Sequence, residues 1–162
     1  MPHLHRPWVL ALGLFLCQCT INEVGPPGQD GGFDRQLRLP LGTALITTPS
    51  QDTVFADGQF DLIRFDKRNY LEVDSIVFVS RMRAQVDEDT CRVLLYNHTD
   101  NTFINNVVLE RDTTTFEWVS SGNIFSALPN REIDLNVVLV SKKNGAIVEG
   151  GQSYLFLYRE SN

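Results

Sequence analysis

A chain of 162 residues with 43% hydrophobic and 21% charged side chains can bury one real core, and is neither disordered nor wholly membrane-embedded in composition. Its 14 Lys and Arg stand against 20 Asp and Glu, a net charge of −6, and no stretch gathers the cations into a stripe. An acidic surface repels phosphate backbones, so nucleic acid is not expected as a partner.

Residues 1–18 read as a signal peptide. His3, His5 and Arg6 make a mildly basic start, and Trp8 to Leu16 is an unbroken apolar run. As a helix it covers only about 15 Å, half of a roughly 30 Å bilayer core, which suits a secretory leader and not a membrane span. The run ends in Leu16-Cys17-Gln18-Cys19, which resembles a loose bacterial lipobox. Leu16 supplies the aliphatic residue three positions before Cys19, whereas Gln18 departs from the small residue usual just before the modified cysteine. Taking Cys17 as the acceptor would put bulky Leu16 in that place, so Cys19 is the expected lipid attachment. Two or more acyl chains hold a protein stably on a membrane. The alternative is an ordinary leader with two incidental cysteines and a secreted product.

Residues 19–36 read as a tether. Gly25-Pro26-Pro27-Gly28-Gln29-Asp30-Gly31 places glycine at every third position, the collagen pattern, before Gly32 and Phe33 break it. Two triplets are too few for a stable triple helix. Extended, the segment from Thr20 to Gln36 reaches roughly 50 Å. Leader, cysteine, brief Gly-Pro-Pro-Gly run and compact C-terminal domain together resemble the bacterial collagen-like lipoproteins. The resemblance covers the first third of the chain. It implies placement in the cell envelope, where the outer membrane is the expected location, and it does not imply an activity.

From residue 37 to 162 the pattern is that of strands, and an all-β, two-sheet antiparallel sandwich is expected, jelly-roll-like in preference to immunoglobulin-like. Pro40 marks Leu37–Leu41 as an edge strand. Asp57-Gly58 between Val54-Phe55 and Phe60–Phe65 predicts a hairpin. Ser75–Val86 is the clearest strand, with Ile76, Phe78, Met82 and Ala84 on one face and Arg81, Arg83 and Gln85 on the other. Cys91–Tyr96 follows, closed by the turn cluster Asn97–Asn101. Val107–Leu109 and Phe116–Val119 are strands, and Ser120–Arg131 is expected as a loop. Ile133, Leu135, Val137 and Leu139 alternate inward, Asn144-Gly145 predicts a second hairpin, and Tyr154–Tyr158 reads as a central strand covered on both faces.

Chemistry is sparse along this domain. Cys91 heads an apolar strand and is expected as a buried, inert thiol. His98 is the one histidine beyond the leader, no Gly-x-Ser-x-Gly elbow occurs, and too few histidines and thiolates remain for zinc. A non-enzymatic protein without a cofactor is expected. Asp87, Glu88 and Asp89 share a loop and are weak calcium candidates. Aromatic rings beside amides are what sugar recognition needs, and Tyr70, Tyr96 and Trp118 are the candidates, although Trp118 and Phe116 share a strand face that also suits the core. Asn97-His98-Thr99 formally matches a glycosylation acceptor. Three readings follow: an envelope lipoprotein displaying a sandwich for binding or surface structure, with a glycan or surface protein as partner; a carbohydrate-binding module; and an oligomeric, trimeric head.

Overall fold

In the strand Val73–Ala84, every second apolar side chain is taken out of water: Ile76, Phe78, Met82 and Ala84 are all fully buried. In Ile133–Ser141 the inward Ile133, Leu135, Val137 and Leu139 are buried likewise, although Asn136 and Val138 on the other face of this strand are covered as well. Period-two alternation gives a strand one wet and one dry face, and two dry faces make a sandwich. A computed structural model of the chain describes residues 36–42, 46–49, 51–52, 54–56, 62–87, 89–143 and 145–159. The leader, the lipobox with Cys17 and Cys19, and the glycine-proline run lie outside these residues.

In chain order the strands are β1 (Gln36–Gly42), β2 (Ile46–Thr48), β3 (Val54–Phe55), β4 (Leu62–Phe65), β5 (Val73–Ala84), β6 (Cys91–Asn97), β7 (Thr102–Arg111), β8 (Glu117–Asn123), β9 (Ile133–Ser141) and β10 (Val148–Arg159). They form two antiparallel sheets. The first runs β1-β10-β5-β8, with β2 also on β10; the second runs β3-β9-β6-β7, with β4 also on β9. Between them Ile76, Phe78, Met82, Leu155 and Leu157 of the first sheet meet Val93, Leu95, Leu135 and Leu139 of the second. Each such side chain contributes roughly 1.5–3 kcal/mol by leaving water.

Four details depart from the sequence expectation. β3 and β4 do not form a hairpin: β3 pairs with Val138 and Leu139, β4 with Ile133 and Leu135, so the two lie end to end along one side of β9. The Asp57-Gly58 pair lies outside the described residues. At the other expected hairpin, Gly145 does take the left-handed φ of +84° that glycine tolerates, but the turn leads from β9 in one sheet to β10 in the other. Two sheets have to be linked by such crossings.

β8 runs on through Asn123 where a loop was expected. Its polar side chains replace missing ladder bonds at the register shift between Val77 and Val79. The Phe78 amide donates to Ser121 Oγ at 2.9 Å and the Ile76 amide to Asn123 Oδ1 at 3.1 Å. Finally, β10 is central, flanked by β1 and β5, but only Leu155 and Leu157 face the core. Tyr154, Phe156 and Tyr158 are half-buried on the outer side. These outward-facing rings make up one wall of the candidate site.

Candidate functional site

An irregularity in β10 aims these rings outward. Between Gly150 and Ser153 the pairing with β5 slips by one residue, so that Gly150 and Ser153, three apart, both sit in the interior. Without this bulge, strict alternation from Val148 would turn Tyr154 and Phe156 into the core. The bulge fits tightly on its neighbour: a Cβ on Gly151 would stand 3.3 Å from the backbone oxygen of Arg81. Inside, Ser153 Oγ donates to Ser80 Oγ at 2.9 Å, pinning the register with a buried polar pair.

Register then decides which side chains share the outer face. Tyr154 is opposite Val79 of β5 and Pro40 of β1; Phe156 is opposite Val77 and Arg38; Trp118 of β8 is opposite Arg81. The rings touch in sequence, with centroids 5.9 Å apart for Trp118–Tyr154, 6.0 Å for Tyr154–Phe156 and 6.5 Å for Phe156–Tyr158. Trp118 is 52% exposed, far more than a core indole. Arg38, Val79, Trp118, Gln152, Tyr154 and Phe156 line a shallow trough on this face, of about 290 Å³. It crosses from β1 to β8, three strand spacings or about 14 Å.

Charge is distributed unevenly around the trough. The Arg38 guanidinium lies 4.8 Å from the centroid of the Tyr154 ring, and Arg81 and Arg83 lie 4.6 and 4.4 Å from that of Phe116. Arg83 is ion-paired with Glu149, its opposite residue on β10, and Gln85 Nε2 donates to the same carboxylate at 2.6 Å. The hydrogen bond from Arg83, then that from Gln85, hold the Glu149 carboxyl below its ordinary value against the opposing effect of burial. Among the described residues neither Arg38 nor Arg81 has a carboxylate within ion-pair distance.

The residues singled out in the sequence are scattered. Trp118 alone reaches this strip. Tyr70 is stacked on Phe65 with centroids 5.8 Å apart, packed against the core, and burial pushes its hydroxyl pKa up. Tyr96 lies on the outer face of the second sheet, edge-on to Phe55 and Phe103 at 5.1 Å each and 5.9 Å from His98. Asp87 is exposed, Glu88 lies outside the described residues, and Asp89 is buried, accepting from Ser141 Oγ at 3.1 Å and from the Lys143 amide at 3.0 Å. Among the described residues no three His, Cys, Asp or Glu side chains gather. Asn97 of the apparent glycosylation acceptor is 2% exposed, and its side chain donates to Asp100 Oδ2 at 2.6 Å, closing the turn. The amide of Asn123 is likewise engaged within the β5–β8 ladder and its loop. Tyr154, Phe156, Tyr158 and Arg38 were not singled out in the sequence. Their signal was there in the alternating Tyr154-Leu155-Phe156-Leu157-Tyr158 run, in which aliphatic and aromatic residues occupy opposite faces.

No family model matches the chain. No curated protein matches it either. Among solved structures, a chain of infectious bursal disease virus Gx strain is 14% identical over 79% of this chain and 32% of its own, with a TM-score of 0.48. A chain from Bacillus endospore appendages, which form disulfide-linked pili, is 10% identical over 78% of this chain and 88% of its own, with a TM-score of 0.35. A chain of Clostridium thermocellum endo-1,4-beta-D-xylanase 10B, complexed with xylohexaose, is 11% identical over 80% of this chain and 27% of its own, with a TM-score of 0.38. The chain thus spans about a third of the length of that viral chain. Likenesses this weak carry no functional argument.

Proposed function

We propose that this chain is an exported, lipid-anchored, non-enzymatic protein of the bacterial cell envelope whose sandwich binds glycan chains on the outer face of its first sheet. The observation that carries the binding role is the unbroken contact of Trp118, Tyr154, Phe156 and Tyr158 along a wet sheet face. Aromatic rings are normally spent on the core, because each buries a large apolar area. Tyr154, Phe156 and Tyr158, turned outward by the bulge, and Trp118 from β8 form a row of rings tilted by 31–49° to one another, with Gln152 beside it. Pyranose rings present flat C–H faces edged by hydroxyls, and a ring platform with a neighbouring amide complements both. Export and anchoring rest on the leader and on Cys19. The strand order supports reading the sandwich as a jelly roll. With β1/β2 and β3/β4 each counted as one interrupted strand, every connection crosses between the sheets except the β6–β7 hairpin.

Affinity gel electrophoresis of the full chain against a panel of soluble polysaccharides tests the binding role. Retardation by at least one polymer, lost in Trp118→Ala and Tyr154→Ala, is the expected result; identical mobility in every gel would end the reading. Mass spectrometry of the mature N-terminus tests the anchor, which an unmodified first residue would remove.

A second reading, an oligomeric head, is favoured by Phe55, Phe103 and Val108, which are 36%, 41% and 47% exposed on the outer face of the second sheet. Two copies packed there would bury these side chains. Light scattering that returns a monomer at tens of micromolar would dismiss it.

A further inference from the structure

Resting on the glycan reading above, we infer that the ligand is an acidic polysaccharide, one whose sugar units carry carboxylates, and that Arg38 and Arg81 are the residues that read its charge.

The protein as a whole carries a net charge of −6, yet among the described residues the charged side chain lining the aromatic trough is Arg38, and Arg81 stands opposite Trp118 beside it. The carboxylate of Glu149, on β10 opposite Arg83, is already paired with that arginine. Glu117, which neighbours Trp118 in β8, is ion-paired with Arg111 at 3.1 Å. Arg38 and Arg81 are left, among the described residues, with rings under them and no carboxylate beside them. Both are exposed.

Their placement matters as much as their charge. Arg38 lies on β1 at one side of the trough. Arg81 lies on β5 directly opposite Trp118, towards the other side. A ring beneath a guanidinium fixes its plane without consuming its N–H donors. Each arginine thus presents a planar fork at a defined place, the geometry that takes a carboxylate through two parallel hydrogen bonds. A polymer lying across β10 would set its sugar faces on Tyr154 and Phe156 and its acid groups against the two forks. A neutral glycan would use the rings and leave both cations unanswered.

The test uses the full chain with two probes of one backbone: polygalacturonate and its fully methyl-esterified form, in which the carboxylates are blocked. The expected result is at least tenfold tighter binding of the free acid, weakened further as salt is raised. Arg38→Gln and Arg81→Gln should each weaken the acid about tenfold, a loss clearly larger than any they cause with the ester, as expected for a charge-assisted bidentate contact. Arg38→Lys, which keeps the charge and loses the fork, should recover part of the loss. Equal binding of acid and ester, or arginine variants that bind the acid as well as the parent, overturns the acidic assignment while the glycan reading stands. Binding of neither polymer, nor of any other glycan, together with binding to phosphatidylglycerol vesicles, overturns both.

Discussion

Lys67 and Leu128 are joined by a buried 2.6 Å hydrogen bond from the ammonium Nζ to the backbone oxygen. The same Nζ donates to the Phe125 oxygen at 2.7 Å and sits 4.5 Å from the centroid of the Phe125 ring. Lys67 opens the 3₁₀ turn Lys67–Asn69, whose cap Asp66 accepts from the Arg68 amide. A lysine only 6% exposed thus ties the turn before β5 to the loop after β8. Burial lowers its pKa, and the carbonyls substitute for lost water.

Lys67→Met keeps the volume and removes the donor, leaving two carbonyls unanswered. An unsatisfied buried acceptor costs about 1–3 kcal/mol, so a loss of about 2–4 kcal/mol is expected in urea denaturation. A midpoint indistinguishable from the parent protein would show that water reaches these carbonyls.

How far the sequence disclosed this fold depends on what its signals measure. Alternation reports which residues share a face, and in β5 and β9 it grouped Ile76 with Phe78 and Leu135 with Leu139, all of them buried. It does not report which strand pairs with which. Asp57-Gly58 and Asn144-Gly145 look like hairpin turns because local geometry is all they encode, yet Val54–Phe55 and Leu62–Phe65 share β9 as a partner. Nor does alternation reveal a bulge, and the slip between Gly150 and Ser153 decides the side on which Tyr154 falls. Trp118 was legible only as a candidate, because an aromatic on a strand is equally good material for either face.

Acid should weaken the sandwich through Glu149. Its folded pKa lies below the ordinary glutamate value of 4.5, chiefly through the hydrogen bond from Arg83. The unfolded chain therefore binds this proton first as pH falls. The stabilisation is fully present above about pH 4.5 and is lost as pH drops through the lowered folded value. Asp66 and Asp100, lowered by Arg68 and Arg131, act in the same direction. Glu149→Gln should lower the melting temperature at pH 7 and flatten its dependence between pH 5 and 3, as measured by calorimetry. A parallel, merely displaced pH profile would assign the acid sensitivity to other groups.

Cys91 should be chemically silent in the folded state. Burial raises its thiol to a pKa of about 12, and its Sγ lies 3.7 Å from the Glu149 oxygen. The thiolate is the nucleophile, so at pH 8 almost none is present. Native labelling with iodoacetamide followed by peptide mass spectrometry should find Cys91 unmodified, and labelling in 6 M guanidinium should modify it fully. Substantial native modification would mean that β6 opens to solvent on the labelling timescale.

Trp118 and Phe78 offer the sharpest division between a face made for a ligand and one made for the core. Phe78 is fully buried between the sheets, so Phe78→Ala removes a large ring from a space that cannot collapse around the gap. A loss of about 3–5 kcal/mol is expected. Trp118 is 52% exposed and leans on Tyr154 at a ring distance of 5.9 Å. Trp118→Ala forfeits one ring contact of about 0.5–1.5 kcal/mol and some partial burial. Should unfolding midpoints show the two variants equally destabilised, Trp118 would have to be counted with the core, and the trough would lose its wall. Should Trp118→Ala fold almost as stably as the parent chain yet fail to be retarded by polygalacturonate, the indole is kept on the surface for what it touches outside the protein.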